Sequence, residues 1–155
     1  MLDKLRAATP YLSYVVGGAY ASHRFHGYAT PGKVDIYVAK QDLGKWVALL
    51  TEPGVAVSVD DLPAEKVGGE HVHLHSILLE VVGEPVMVDG VRYMAPEALV
   101  VHGLRMQDSL SLTDSFALLI AAKDRMSWRK LLELAEREGV LRELGCTLEL
   151  INSEV

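Results

Sequence analysis

Hydrophobic residues in the first 94 positions form short runs of β-branched and aromatic side chains, separated by clusters rich in glycine, proline and aspartate. This pattern is typical of β-strands joined by turns. The predicted strands cover residues 11–16, 33–39, 55–59, 71–82 and 86–93. The fourth is apolar on both faces toward its end, which predicts a central strand, and Asp89-Gly90 predicts a hairpin in the fifth.

Short helices are predicted between these strands, at residues 3–8, 19–26 and 43–50. Pro10 ends the first helix, and Gly27 is the predicted C-cap of the second. Asp42 is the predicted N-cap of the third, and Trp46, Leu49 and Leu50 form the hydrophobic face of that helix.

The pattern becomes helical after residue 95, where Pro96 suits the first position of a helix and Glu97 suits its first turn. Three further helices are predicted to follow. Thr113 or Asp114 is the predicted N-cap of 115–122, and Ser127 is that of 128–138. Gly139 separates 128–138 from the last helix. The helix over 128–138 carries an apolar stripe that predicts burial in the core: Trp128, Leu131, Leu132 and Ala135.

Together these elements predict an α/β (α+β) fold in which a mixed sheet precedes a C-terminal helical cluster. The length of 155 residues suits a single domain, 1–155, with its sheet in about 1–94 and its helical part in about 95–155. Half of the residues are hydrophobic and 23% are charged, a composition that predicts folded structure throughout.

The formal net charge of −6 argues against broad DNA or RNA binding, because such a surface must be basic to neutralise phosphates. Cys146 is the only cysteine, which excludes an intrachain disulfide and favours a cytoplasmic location. The first twelve residues lack the apolar core of a signal peptide, and no apolar run is long enough to span a bilayer. We therefore expect a soluble protein without a membrane partner.

The segment after the first predicted strand carries the strongest chemical signal. Gly17 and Gly18 stand between that strand and a helix, and Asp35 lies on the next strand. A diglycine turn at a helix N-terminus brings main-chain N–H groups close to phosphate oxygens, so this order predicts a nucleotide site. The alternatives are a tight turn without a ligand for the glycines, and a solvated or helix-capping position for Asp35.

Gly17, Gly18, Thr30 and Asp35 resemble the motif of the minimal nucleotidyltransferase fold, especially of AbiEii-type and related toxin–antitoxin proteins. In that family a GG or GS turn precedes a strand with two acidic residues at alternate positions. The resemblance covers most of the chain. It implies a nucleotidyltransferase-like fold, a nucleoside triphosphate bound with Mg²⁺, and transfer of a nucleotidyl group to a hydroxyl of RNA or protein.

A second resemblance lies downstream, where a hairpin, a Pro-Glu helix start and an Asp-containing helix follow one another. Its anchors are Pro96, Glu97 and Asp114. Residues 128–145 also resemble the C-terminal helices of AbiEi antitoxins, so the resemblance extends to both halves of such systems.

The acidic motif departs from the family pattern, which needs two carboxylates at i,i+2 on one strand face. Lys33, Asp35 and Tyr37 share that face, so either Tyr37 replaces the second acid or Lys33 replaces the first. Asp35 remains as the candidate catalytic and metal-binding acid, and loss of its partner weakens two-metal phosphoryl transfer. We hypothesise that Lys33 replaces a missing cation and binds phosphate together with Gly17 and Gly18.

The functional prediction is a degenerate nucleotidyltransferase-like protein that retains a nucleotide or phosphate pocket, with weak or absent nucleotidyl transfer. The alternative is a non-enzymatic antitoxin-like or regulatory module whose helices contact a protein partner. The missing acid favours the module, whereas the diglycine turn and Asp35 favour the pocket.

His71, His73 and His75 alternate along one predicted strand and therefore project from one face. His71 and His75 would lie about 13 Å apart, so only a neighbouring pair can share an ion at about 2.0–2.1 Å. Adventitious or interfacial histidines are the preferred interpretation, and bound zinc is not expected. The further ligands that a metal would need are sought among His23, His26 and Asp60.

A third carboxylate for the Asp35 site would have to come from a later strand. The candidates are Asp60, Asp61 and Glu80, for which placement on the surface or in a turn is the alternative. The sequence does not indicate which of them faces Asp35.

Overall fold

The structure is a computed structural model that describes residues 1–28, 32–60, 70–77 and 83–154, with the backbone alone at residues 70, 110 and 154. Within these residues the predicted fold class is confirmed, because six strands form one mixed sheet and seven α-helices accompany it. The chain forms two compact units, Met1–Tyr20 with Pro31–Met94 and Ala21–Thr30 with Ala95–Val155. The first unit contains the sheet, and the second contains the C-terminal helices.

The strands are β1 Tyr14–Gly17, β2 Val34–Val38, β3 Val55–Val59, β4 Glu70–Ser76, β5 Val86–Val88 and β6 Val91–Tyr93. The helices are α1 Leu2–Ala8, α2 Gly18–His26, α3 Leu43–Leu50, α4 Pro96–Met106, α5 Ser109–Ala121, α6 Trp128–Arg137 and α7 Leu141–Glu154. The first four predicted strands each correspond to one observed strand, and the fifth, 86–93, is the predicted hairpin and contains β5 and β6. Strand β1 begins later than predicted, and residues 78–82 of the fourth prediction lie outside the described residues.

The sheet has the strand order β3-β4-β2-β1-β6-β5. The β1–β2 and β5–β6 pairs are antiparallel, and the β2–β4, β3–β4 and β1–β6 pairs are parallel. Strand β4 lies between β2 and β3 and is therefore central, as predicted. The apolar end on which that prediction rested lies mostly outside the described residues, and within Glu70–Ser76 one face carries three histidines. Asp89 and Gly90 both have positive φ angles, 51° and 78°, and complete the predicted hairpin turn.

One face of this sheet forms the hydrophobic core of the first unit. Tyr14 lies opposite Val38, and its ring meets the Trp46 ring of α3 edge-on, with 5.2 Å between the ring centroids. The fully buried side chains on this core face and its covering helices are Leu5, Tyr14, Val16, Ile36, Val38, Trp46, Leu50, Val72 and Leu74. Each large apolar side chain contributes about 1.5–3 kcal/mol on burial, so this face fixes the strand register.

The second unit is organised by the close packing of α4 against α5. A methyl group on Gly103 would overlap the Ser115 hydroxyl and would lie 2.6 Å from the Ser111 carbonyl oxygen. The Ser115 Oγ donates a hydrogen bond to the Val100 carbonyl oxygen at 2.9 Å. The absence of a side chain at Gly103 therefore permits the two helix backbones to approach, and the buried serine is satisfied by the neighbouring helix.

One predicted helix cap is wrong, and a second residue, Asp42, occupies its predicted N-cap position without the side-chain hydrogen bond of a cap. Helix α5 begins at Ser109, and its N-cap is Asp108, whose carboxylate accepts a hydrogen bond from the Ser111 N–H. Thr113 and Asp114, the predicted caps, lie inside this helix because it already begins at Ser109, where Asp108 satisfies its first turn. Asp42 precedes α3 but makes no side-chain cap hydrogen bond, since it ends a 3-10 turn with helical φ and ψ.

The apolar stripe of α6 is only partly buried. Leu131 and Ala135 are fully buried, whereas Trp128 and Leu132 are 43% and 48% exposed. The buried arc of the helix is therefore narrower than the stripe and is displaced to one side of it. Ser127 caps α6 as predicted, and its hydroxyl accepts from the Lys130 N–H. Among the described residues, no helix combines the length and apolar character needed to cross a membrane.

Candidate functional site

The sheet face opposite the core carries polar side chains on three adjacent strands. On β2 and β4, Asp35 lies beside His73 and Tyr37 lies beside His75. On β3, Ser58 lies beside His73. Because residues paired across strands project to the same face, the alternating pattern of each strand places all of these groups together.

The diglycine turn lies directly against Asp35. Gly17 is the register partner of Asp35, and a methyl group on Gly17 would lie 2.5 Å from the Tyr37 ring. Gly18 begins α2 with a φ of 61°, and a methyl group there would overlap the Asp35 carboxylate. Both positions therefore need glycine, and the turn brings the start of α2 to the acid, as the strand–turn–helix–strand order indicated.

Asp35 is buried, with 6% of its surface exposed, and it is held by two basic side chains. His75 Nε2 lies 2.8 Å from Asp35 Oδ1, and Lys33 Nζ lies 3.6 Å from the same oxygen. Burial raises the pKa of Asp35, but the His75 hydrogen bond and the charge of Lys33 outweigh burial and leave the pKa below its usual value. The carboxyl group is therefore ionised at neutral pH.

Tyr37 occupies the position at i+2 from Asp35, where the resemblance expects a second acid. Its ring is buried and stacks on the His75 ring, with 4.4 Å between centroids and 12° between planes. Burial, together with the charges of Asp35 and Asp60, raises the pKa of Tyr37, so the phenol is neutral at pH 7. This position of β2 offers an aromatic surface and no carboxylate.

A further carboxylate approaches this group from the end of β3. Asp60 Oδ2 accepts a hydrogen bond from the Ser76 N–H at 3.0 Å, and Asp60 Oδ1 lies 3.6 Å from His75 Nδ1. Of the three carboxylates considered for a third acid, Asp60 is therefore connected to Asp35 through His75. Asp61 and Glu80 lie outside the described residues, as does Thr30.

The two histidines nearer the start of β4 share one hydroxyl. Ser58 Oγ is within hydrogen-bond distance of His71 Nε2 and His73 Nδ1, which one hydroxyl can satisfy by donating to one ring and accepting from the other. Burial and the adjacent His75 lower the pKa of His73 despite the opposing effect of Asp35, so His73 is neutral at pH 7. Ser58 is the member of this face that the sequence analysis missed, because only the β3–β4 register brings it to the histidines.

A group that can hold a metal ion is present among the described residues. Asp60, His73 and His75 each offer one ligand atom, and these atoms lie within 4.8 Å of one another. The group contains His73 and His75 but not His71, in agreement with the expectation that only a neighbouring pair of these histidines can share an ion. His26, another candidate ligand, instead lies 3.0 Å through Nε2 from Asp114 Oδ1.

The fold is similar to two solved structures of ANT(2″)-Ia, an aminoglycoside nucleotidyltransferase of the minimal nucleotidyltransferase fold. The crystal structure with adenylyl-2″-tobramycin has a TM-score of 0.53 and 13% identity, over 92% of this chain and 95% of that chain. The solution structure of this antibiotic-resistance factor has a TM-score of 0.50 and 14% identity, over 99% of this chain and 96% of that chain.

These comparisons show that the chain has a nucleotidyltransferase-like fold, as the motif resemblance implied. No protein-family model and no curated protein sequence matches the chain. Membership of the AbiEii-type family therefore stays a prediction.

Proposed function

We propose that the chain is a degenerate nucleotidyltransferase-like protein that binds the phosphates of a nucleotide and transfers the nucleotidyl group weakly or not at all. The observation that carries this proposal is the contact between the diglycine turn and Asp35. Gly18 has no side chain where one would overlap the Asp35 carboxylate, so the backbone at the start of α2 lies against the acid. The nucleotidyltransferase-like fold supports the same interpretation.

Lys33 provides the positive charge for phosphate binding in this proposal. Its side chain is 51% exposed while its ammonium group lies 3.6 Å from Asp35 Oδ1. An exposed ammonium can turn to an incoming phosphate without the cost of desolvating a buried ion pair. Gly17, Gly18 and Lys33 thus form the proposed phosphate-binding side of the pocket.

The residues present fit one Mg²⁺ ion better than two. Mg²⁺ uses one or two carboxylates together with phosphate oxygens and water, and when bound it would neutralise phosphate charge. Asp35 Oδ1 is engaged by His75 and Lys33, whereas Oδ2 lies against Gly18, at the position that a methyl group there would overlap. Asp35 is thus the proposed metal ligand, and Tyr37 cannot supply the second carboxylate that paired ions need.

Calorimetric titration with ATP and GTP, with and without Mg²⁺, tests the pocket. We expect binding by the wild type and a loss of about tenfold or more in affinity for Lys33→Ala, because a contact to a charged phosphate is removed. Lys45→Ala is the matched control. Lys45 is an exposed lysine on α3 whose Nζ lies 3.6 Å from Asp42 Oδ1, the same distance as that from Lys33 Nζ to Asp35 Oδ1. Equal losses in the two variants, or no binding by the wild type, would overturn the proposal.

Incubation with nucleoside triphosphates labelled at the α-phosphate, followed by separation of RNA and protein, tests transfer. We expect nucleotide binding with little incorporation into either acceptor. Efficient incorporation would show that one acid suffices and that the protein is an active nucleotidyltransferase. If no nucleotide binds, the alternative of an antitoxin-like or regulatory module gains support, for which Tyr37 at the acidic position is the motivating observation.

A further inference from the structure

Two histidines and one aspartate on the polar face of the sheet are arranged as ligands of a single metal ion. His73 and His75 come from β4, and Asp60 comes from the end of β3. The structure assigns these three residues to a binding site for a divalent transition-metal ion of the Zn²⁺ class. Its ligands differ from those of the carboxylate and phosphate site proposed for Mg²⁺, which it adjoins through the contact of His75 with Asp35, and zinc binding does not depend on nucleotide.

The spacing of the ligand atoms supports this assignment. His75 Nδ1 and Asp60 Oδ1 are 3.6 Å apart, which is too far for a hydrogen bond. Two ligands of a tetrahedral ion with bonds of about 2.0–2.1 Å lie about 3.3–3.4 Å apart. The two atoms therefore have a separation close to that of neighbouring ligands on one ion, and Asp60, His73 and His75 each offer a ligand atom within 4.8 Å of the others.

The hydrogen-bond partners of the two imidazoles also support the assignment. His75 Nε2 lies 2.8 Å from Asp35 Oδ1, so its other nitrogen, Nδ1, faces Asp60. His73 Nδ1 contacts Ser58 Oγ, so Nε2 is the nitrogen left to bind an ion. In metal-binding histidines the N–H of the second ring nitrogen typically donates a hydrogen bond to a carboxylate or another acceptor, which fixes the ring and raises the basicity of the ligand nitrogen. Asp35 and Ser58 thus act as positioning residues for the two rings.

His71 lies on the same strand and face but belongs to a different arrangement. Its Nε2 lies 2.8 Å from Ser58 Oγ, and its ring centroid is 6.5 Å from that of His73, compared with 4.5 Å between His73 and His75. This difference makes His71 the matched control for the two proposed ligands, because the same substitution removes an imidazole of the same strand without removing a ligand.

The donor set selects the class of ion. Two imidazole nitrogens and one carboxylate oxygen suit Zn²⁺ and neighbouring first-row ions, whereas Mg²⁺ and Ca²⁺ prefer oxygen ligands alone. Three protein ligands leave at least one coordination position for water or another molecule, which is typical of zinc sites that are not purely structural. Asp60 is exposed and both histidines are half-buried, so solvent can reach the site.

Zinc binding is tested on the full chain, purified without a histidine tag and stripped of metal, by competition with a chromophoric zinc chelator. We expect one Zn²⁺ per chain for the wild type and for His71→Gln. His73→Gln, His75→Gln and Asp60→Asn should each weaken binding by more than the roughly 10–100-fold typical of a supporting partner, and Ser58→Ala should fall within that range. A loss in His71→Gln equal to that in His73→Gln would overturn the assignment.

A measurement on the wild type alone guards against variants that fail to fold. Addition of Zn²⁺ should shift the side-chain ¹⁵N resonances of His73 Nε2 and His75 Nδ1, and Co²⁺ should give the intense visible absorption of a tetrahedral site. Shifts confined to His71, or a Co²⁺ spectrum typical of the hydrated ion, would overturn the proposal. Because no nucleotide is present, failure here leaves the proposed phosphate pocket untouched, and failure of nucleotide binding leaves the zinc site untouched.

Discussion

The Nε2 atom of His75 lies 2.8 Å from the Oδ1 atom of Asp35, across the parallel pair formed by β4 and β2. The acid that the sequence motif singles out is thus joined to a histidine that the motif does not include. This contact keeps Asp35 ionised despite its burial and at the same time orients the His75 ring toward Asp60.

The pH dependence of stability should reveal this contact. The pKa of Asp35 is lowered on folding, so its contribution is present above the unfolded value of 3.8 and is lost as the pH falls through the lower folded value. We expect Asp35→Asn to lower the free energy of unfolding by about 1.5–3 kcal/mol at pH 6, because a charge-assisted hydrogen bond is lost. Urea unfolding from pH 6 downward should show the difference shrinking below pH 4. A difference that grows with acid would contradict the ionised state.

Gly18→Ala should damage both stability and nucleotide binding. The residue has a φ of 61°, and its new methyl group would overlap the Asp35 carboxylate, so we expect a loss of about 1–2 kcal/mol from the backbone alone. Gly44→Ala is the control, since nothing lies within 4 Å of a methyl group there and the residue is helical. That change should be neutral or stabilising by up to about 1 kcal/mol. Thermal unfolding of both variants measures the contrast, and equal melting temperatures would contradict it.

Glu97 has a structural role that its place in the first turn of α4 did not reveal. The side chain is buried, and its Oε1 accepts a hydrogen bond from the Ser127 N–H at 2.6 Å, immediately before α6. Glu97→Ala should destabilise the protein by about 1–3 kcal/mol because the N–H loses its acceptor. Glu97→Gln retains an oxygen acceptor and should lose less, as measured by urea unfolding. A glutamine variant as unstable as the alanine variant would show that charge, rather than this hydrogen bond, is what matters.

Asp114 pairs with His26, whose side chain is 2% exposed. His26 Nδ1 accepts the Tyr28 N–H at 3.0 Å, so Nε2 carries the proton that is donated to Asp114 Oδ1. Asp114→Ala should lower the free energy of unfolding by about 1–3 kcal/mol, because a buried donor loses its partner. Asp124→Ala changes an exposed aspartate and should stay within about 0.5 kcal/mol of the wild type. Similar losses in both variants would refute a specific role for the pair.

The sequence predicted those strands, turns and helix ends that depend on residues close together in the chain. The strand over Val55–Val59, the Asp89-Gly90 turn and the start of α4 at Pro96 follow from local patterns that tertiary contacts reinforce. The cap of α5 was missed because its first turns contain several residues able to cap, and the choice of Asp108 depends on how the preceding chain arrives.

Only the part of the site that follows from side-chain alternation within single strands was predicted. Alternation placed Asp35 and Tyr37 on one face of β2, and His73 and His75 on one face of β4. It could not show that β4 is the neighbour of β2, nor that its histidines lie on the same side as Asp35. Those facts depend on strand order and register, which also bring Ser58 to the histidines.

The insertion of β4 between β2 and β3 has a consequence for how the protein folds. Strand β2 is followed in the chain by α3 and β3, yet its partner is β4, so the pairing closes a loop that contains both intervening elements. Such distant contacts form slowly, because chain entropy is lost before the contacts repay it. The polar cluster therefore forms only when β4 joins β2, and a nascent chain acquires it only after residue 76 has been synthesised.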